Sequence, residues 1–112
     1  MTEAQKETQQ LSIKLGSLRR LSKELDLYGK EAEDQSSKVQ QLVAEGADEY
    51  DIKKQKEILR DCEQMVPDTR SRLTSVVADL DTFIQGVNKS SQETPAYKEA
   101  MEALQQAKLA IQ

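Results

Sequence analysis

Residues 11–42 read LSIKLGSLRRLSKELDLYGKEAEDQSSKVQQL, and the spacing of their apolar side chains decides the fold. Leu11, Leu18, Leu25, Ala32 and Val39 fall at one heptad position, and Leu21, Tyr28 and Leu42 at the other, with Lys14 and Gln35 as polar breaks. Repetition every 3.5 residues is the signature of a helix that lays a narrow apolar seam against a partner helix. Period-two alternation is absent and Gln, Lys, Glu, Ala and Leu dominate, so a strand reading fails.

Working outward, a second seam sets Ile52, Leu59, Val66, Leu73, Leu80 and Val87 against Cys62, Val76 and Phe83, broken at Gln55 and Thr69. A shorter third uses Tyr97, Ala100, Leu104, Ala107 and Ile111. The reading is an all-α fold, an elongated antiparallel three-helix bundle of coiled-coil type that forms one domain over residues 1–112. Helix one is expected at about residues 5–45, helix two at about 50–88 and the shorter helix three at about 95–111. Gly46 can take the left-handed conformation that closes helix one, Asp48 or Asp51 can cap helix two, and Thr94 followed by Pro95 is a helix start. Pro67 predicts a kink in helix two, where its ring costs roughly 3 kcal/mol in a helix interior.

Folding helix two back on helix one in one register pairs Leu42 with Ile52, Val39 with Gln55, Gln35 with Leu59, Ala32 with Cys62 and Tyr28 with Val66. Helix three ends before it reaches Pro67, so residues 28–66 are expected to form a two-helix arm with weak, amide-containing layers. Such an arm opens locally and offers its seam to a partner or to a second copy.

Composition removes several function classes. Sixteen basic and twenty acidic residues give a net charge of −4, against a general affinity for nucleic acid or for an anionic membrane. With no histidine and one cysteine, the usual general base, a nucleophile–histidine pair and a structural zinc site are all missing, so the chain is expected to be no enzyme and to use no metal or cofactor. Cys62 is expected as a buried packing thiol. The first residues carry no apolar signal core and no stretch approaches the roughly 20 apolar residues of a membrane span, which sets a cytoplasmic expectation. Asn88-Lys89-Ser90 reads as a polar loop. Basic Arg19, Arg20 and Lys23 on helix one, and Lys53, Lys54 and Arg60 on helix two, fall at outward heptad positions; each cluster is either a solvated face or a guide toward an acidic protein surface.

The run Tyr50-Asp51-Ile52-Lys53-Lys54-Gln55-Lys56-Glu57-Ile58-Leu59 resembles the start of the second helix of the tubulin-binding cofactor A family. Arg20-Leu21-Ser22-Lys23-Glu24 with Tyr28-Gly29-Lys30-Glu31-Ala32, then Met65-Val66-Pro67-Asp68, then Tyr97-Lys98-Glu99-Ala100, resemble other segments of the same family, in order, over residues 14–110. Gly29, Val66 and Thr69 depart from it where a charged helix former, an isoleucine and a cysteine are usual, and the first ten residues match nothing in it. The resemblance implies a three-helix bundle that binds β-tubulin after its release from the chaperonin, holds it as a monomer, and passes it toward the α/β heterodimer without nucleotide or metal. It implies a cytoplasmic protein of the microtubule cytoskeleton with other tubulin-folding cofactors as further partners, and the two-helix arm, left open or covered by its own copy, sets the expectation of a monomer or weak homodimer. Candidate contacts are Tyr50, Asp51, Lys53, Lys54, Lys56, Glu57 and Arg60, joined by Arg19, Arg20 and Lys23. A generic coiled-coil adaptor without tubulin selectivity is the alternative that heptads alone would allow.

Overall fold

A computed structural model describes all 112 residues. The chain is helical throughout, with α1 at Glu3–Ala44, α2 at Glu49–Gln85, α3 at Lys89–Gln92 and α4 at Pro95–Ala110. No strand is present.

Local chemistry explains each boundary. Helix α1 starts earlier than residue 5 because Thr2 and Gln5 form a capping box: Thr2 N donates to Gln5 Oε1 at 2.8 Å and Gln5 N donates to Thr2 Oγ1 at 3.2 Å. Two amides that would otherwise lack partners are satisfied reciprocally. At its other end Gly46 adopts φ +69°. Gly46 N donates to Val43 O and Ala47 N to Leu42 O, at 3.2 and 3.1 Å. This pair of bonds is the Schellman closure, which only a residue without Cβ makes cheaply.

After a four-residue connection α2 begins, with the carbonyl of Asp48 accepting from Ile52 N at 3.0 Å. The helix passes through Pro67 without interruption. Pro67 and Glu63 are both exposed, so the Glu63 carbonyl deprived of its amide partner can turn to water. The expected end near residue 88 is corrected to Gln85. At Gly86, a poor helix former by about 1 kcal/mol against alanine, the last turn tightens, with Gly86 N bonding Phe83 O and Val87 N bonding Ile84 O.

The polar loop expected at residues 88–90 is instead the approach to a one-turn helix, α3. Its start is held from the first ten residues of the chain. Glu7 accepts from Asn88 N and Asn88 Nδ2 at 3.2 and 2.8 Å and from the fully buried Ser91 hydroxyl at 3.0 Å. A carboxylate at the open amides of a helix start is favoured by charge as well as by hydrogen bonding. Thr94 caps α4 as expected, accepting from Tyr97 N at 3.3 Å, with Pro95 in the first turn.

The residues group into two compact units, one of residues 1–22 with 71–112 and one of residues 23–70. In the first, α1 and α2 run antiparallel, as the contacts Glu7 to Asn88 and Lys14 to Asp79 require. Its core is built from Leu11, Leu15, Leu18, Leu21, Leu73, Val77, Leu80, Ile84, Val87, Ala100, Leu104 and Ala107, all buried. Three of these, Leu15, Val77 and Ile84, lie one place beyond the expected seam, and the expected seam residues Val76 and Phe83 are only half-buried. The reason is α4. Lys108 Nζ bonds Asp81 Oδ1 at 3.1 Å, and Asp81 neighbours Val77 and Ile84 on its helix face at i−4 and i+3. Helix α4 therefore lies on that flank, and a helix with two partners buries a wider stripe than a two-stranded seam. Lys14, the polar break, ion-pairs with Asp79 at 2.7 Å and sits 5.2 Å from the Phe83 ring centroid.

Within residues 23–70 the four-residue connection folds α2 back on α1 as a hairpin. Only Leu25, Val39 and Thr69 are buried there. Ala32, Leu42, Ile52, Leu59, Cys62 and Val66 are half-buried, so Cys62 is a partly covered thiol rather than a core one. The expected pairing of Gln35 with Leu59 and of Val39 with Gln55 is also corrected. Gln35 Nε2 bonds both the side-chain and main-chain oxygens of Gln55, at 2.9 and 3.0 Å. Two amides that would each weaken an apolar layer meet in one layer, because a covered amide costs least when another amide satisfies it.

Candidate functional site

Seven of the residues singled out from the sequence lie on the first turns of α2, and all seven are exposed: Tyr50, Asp51, Lys53, Lys54, Lys56, Glu57 and Arg60. Ile52, Gln55 and Leu59 of the same run turn inward to the hairpin seam. At 100° per residue, the seven do not form one patch. Lys53, Lys56, Glu57 and Arg60 follow i, i+3, i+4, i+7 and make a mostly basic ridge. Tyr50 and Lys54 start a second ridge, with Lys54 Nζ 5.6 Å from the centre of the Tyr50 ring. An ammonium over an aromatic face at this distance steadies both side chains and leaves the ring, 64% exposed, presented to solvent.

Arg19, Arg20 and Lys23 are all exposed on α1, with Lys23 at i+4 from Arg19 and i+3 from Arg20, so they share one face of that helix. Arg19 and Arg20 belong to the three-helix unit and Lys23 to the hairpin. Arg19 Nη2 stands 4.0 Å from Glu99 Oε2 of α4, with both side chains more than half exposed, a contact worth little in water. Its consequence is placement. Arg19 neighbours Leu15 at i−4, so α4 flanks α1 on the side where Leu15 is buried.

Sequence reasoning missed the apolar residues between the charged ones. Ile58 and Met65 continue the Tyr50 ridge at i+8 and i+15 and remain 44% and 39% exposed. The signal was legible: both fall at the heptad place immediately before a seam residue, Leu59 and Val66, where coiled coils usually carry charge. An open groove in the three-helix unit, lined by Ala4, Gln5, Thr8, Gln9, Ser12 and Thr94, carries no charged group.

Charge divides unevenly. Residues 23–70 hold eight basic and thirteen acidic side chains, a net −5, and the remaining residues hold eight and seven, a net +1. The basic ridge of α2 is therefore a local feature of an acidic unit. No helix is long and apolar enough to cross a membrane. What the exposed hairpin offers chemically is recognition: an aromatic ring, aliphatic side chains and rows of both charges on rigid helices.

Comparison with known proteins converges on one group. Residues 6–104 match the model of the family described as Tubulin binding cofactor A. Tubulin-specific chaperone A of Gallus gallus is 42% identical over 100 residues, covering 89% of this chain and 92% of that one. The crystal structure of tubulin folding cofactor A from Arabidopsis thaliana superposes with a TM-score of 0.86 at 30% identity, covering 94% of this chain and 98% of that one. RBL2P, described as a β-tubulin binding post-chaperonin cofactor, superposes with a TM-score of 0.80 at 32% identity, covering 91% and 97%.

Proposed function

Since the chain belongs to the Tubulin binding cofactor A family, we propose that it is a tubulin-folding cofactor that binds the β-tubulin monomer after chaperonin release and holds it on the way to the α/β heterodimer. The observation that carries this reading is the likeness, in both sequence and fold and over nearly the whole chain, to RBL2P, a β-tubulin binding post-chaperonin cofactor. Its setting on this reading is the cytoplasm beside the microtubule cytoskeleton, with other tubulin-folding cofactors taking over the held subunit. Its work is binding, without catalysis or cofactor.

The physical means is the outer surface of α2. An unassembled tubulin subunit exposes surface that its partner subunit would cover, and a binder keeps it soluble by covering that surface reversibly. Tyr50, Asp51, Lys53, Lys54, Lys56, Glu57 and Arg60 supply the polar part of the contact. The basic ridge orients the encounter with acidic stretches of the client, and charge across an interface acts more on orientation and rate than on affinity. A net-negative chain meeting an acidic client holds on by local contacts, so raising the ionic strength weakens binding only modestly.

The test is size-exclusion chromatography with light scattering of the purified chain mixed with β-tubulin released from chaperonin. A one-to-one complex is expected. Its absence, with the chain running alone or self-associated, would sink the reading in favour of a general coiled-coil adaptor. Replacing Lys53, Lys54 and Arg60 together with alanine is expected to reduce capture with helicity intact by circular dichroism; unchanged capture would move the contact to Arg19, Arg20 and Lys23.

A further inference from the structure

The apolar side chains on the outer side of α2 have no covering element within the hairpin. Ile58 and Met65 are seven residues apart, two helical turns, so they stand one above the other about 10.5 Å apart. Both flank the hairpin seam. The opposite flank of the same helix is apolar in the three-helix unit, at Val77 and Ile84, where α4 covers it, and polar in the hairpin, at Lys56, Glu63 and Arg70. Within the hairpin, then, the apolar flank of α2 is the Ile58 and Met65 side.

Charge selects what covers it. Asp61 and Asp68 each lie three residues after one of the apolar pair, exposed on the same face, while Lys54, four residues before Ile58, is held over the Tyr50 ring at the end of the ridge, and the hairpin as a whole carries −5. A second copy meeting the stripe with its own would set Asp61 and Asp68 against the same two aspartates, and like charges across an interface oppose association. A segment with apolar side chains and a basic rim meets the stripe on both counts.

We propose that Ile58 and Met65, with Asp61 and Asp68 beside them, form a docking stripe for an amphipathic helical segment of β-tubulin that bears lysine or arginine along the edge of its apolar face. The inference rests on the β-tubulin reading above and says which chemistry of the client the cofactor grips. Two helices joined through apolar side chains at turn spacing, with opposite charges along the rim, are an established way for a helical surface to bind. The stripe supplies desolvated contact and therefore slows release, while the basic ridge on the adjoining face governs approach.

The experiment measures capture of chaperonin-released β-tubulin by four full-length chains: wild type, Ile58→Lys/Met65→Lys, Asp61→Lys/Asp68→Lys, and Ile13→Lys as a control at an apolar side chain of the three-helix unit that is 55% exposed. Circular dichroism checks that each is folded. Wild type and the Ile13 control are expected to capture equally, and each double variant to lose at least about tenfold in affinity, the loss expected of removing an anchor or reversing a paired charge. Failure of the wild type to capture would overturn the functional reading and this inference with it. Full capture by Ile58→Lys/Met65→Lys would overturn the inference alone. Unchanged or tighter binding by Asp61→Lys/Asp68→Lys would overturn the basic rim, and a change in the mass of the isolated chain with capture unaltered would assign the stripe to a second copy. If the apolar double variant were unfolded, the aspartate pair, entirely on the surface, decides.

Discussion

The three-helix unit and the hairpin are cut from the same two long helices and from similar residues, yet they bury themselves differently. In the first, leucines at 11, 18, 73 and 80 are sealed almost completely from solvent. In the second, Ala32, Cys62, Gln35, Gln55 and Tyr28 are interspersed among the leucine, isoleucine and valine of the seam, and most of it remains half-buried. A third helix makes the difference, because two helices alone cannot enclose a seam on both flanks. Stability is thereby concentrated in residues 1–22 and 71–112, and exposed surface suited to a partner in residues 23–70. On the proposed reading, recognition falls where the core is thinnest.

The sharpest way to break that contrast is a matched pair of truncations. Leu80→Ala empties a fully buried site and is expected to cost about 2–5 kcal/mol of stability, in the range of core leucine truncations. Leu59→Ala, at the same heptad place in the hairpin but half-buried, is expected to cost less than half as much. Urea unfolding followed by circular dichroism reads both. Equal costs would mean that the hairpin is as tightly packed as the three-helix unit, and the contrast would fall.

Next in size is Glu7, whose carboxylate accepts from Asn88 and Ser91. Glu7→Ala leaves the buried Ser91 hydroxyl without its acceptor, and is expected to cost about 2 kcal/mol, the scale of hydrogen bonds to a charged group. Amide exchange at residues 88–92 should accelerate most, with the hairpin amides unmoved. This contact also shows where sequence legibility stops. Heptad spacing locates Leu11, Leu18, Leu73 and Leu80 because each seam is a local pattern, and Gly46, Thr94 and Pro95 mark helix ends because capping is local chemistry. The Thr2–Gln5 capping box was equally local and could have been read. That Glu7 holds residue 88 is a contact between elements 81 positions apart, which no local pattern encodes. For the same reason the flank occupied by α4, and with it the burial of Leu15, Val77 and Ile84, followed only from three-dimensional packing. At the candidate site, exposure of the charged residues of α2 was legible from their heptad places, as was the place of Ile58 and Met65 just before seam residues, whereas how much of those two side chains stays uncovered followed only from packing.

Smaller again is the amide pair. Gln35→Leu deprives Gln55 of its partner in a partly covered layer and is expected to cost about 1 kcal/mol. Gln35→Leu/Gln55→Leu replaces both amides with apolar groups of similar size and is expected to recover that loss or exceed it. If exchange protection around Ala32 and Cys62 in the double variant rose to that around Leu18 and Leu80, polarity of this one layer would account for the hairpin's openness. If protection stayed low, the missing third helix is the cause.

The smallest expected effect is Gly29→Ala, and its sign is the informative part. Gly29 is in the interior of α1, and a Cβ built there meets no atom within 4 Å. Nothing opposes the substitution, and alanine gains up to about 1 kcal/mol over glycine from its smaller loss of backbone freedom. Slower exchange is expected across residues 25–40, with amides around Leu80 unchanged, because the gain belongs to the hairpin. Should protection instead rise equally in both units, α1 would be transmitting stability along its whole length, and the two units would open together rather than separately. Capture of the client by the stiffened hairpin then separates two ways of binding. Undiminished capture fits a rigid outer face carrying Ile58 and Met65, whereas weakened capture would mean that the seam itself must open to admit the client.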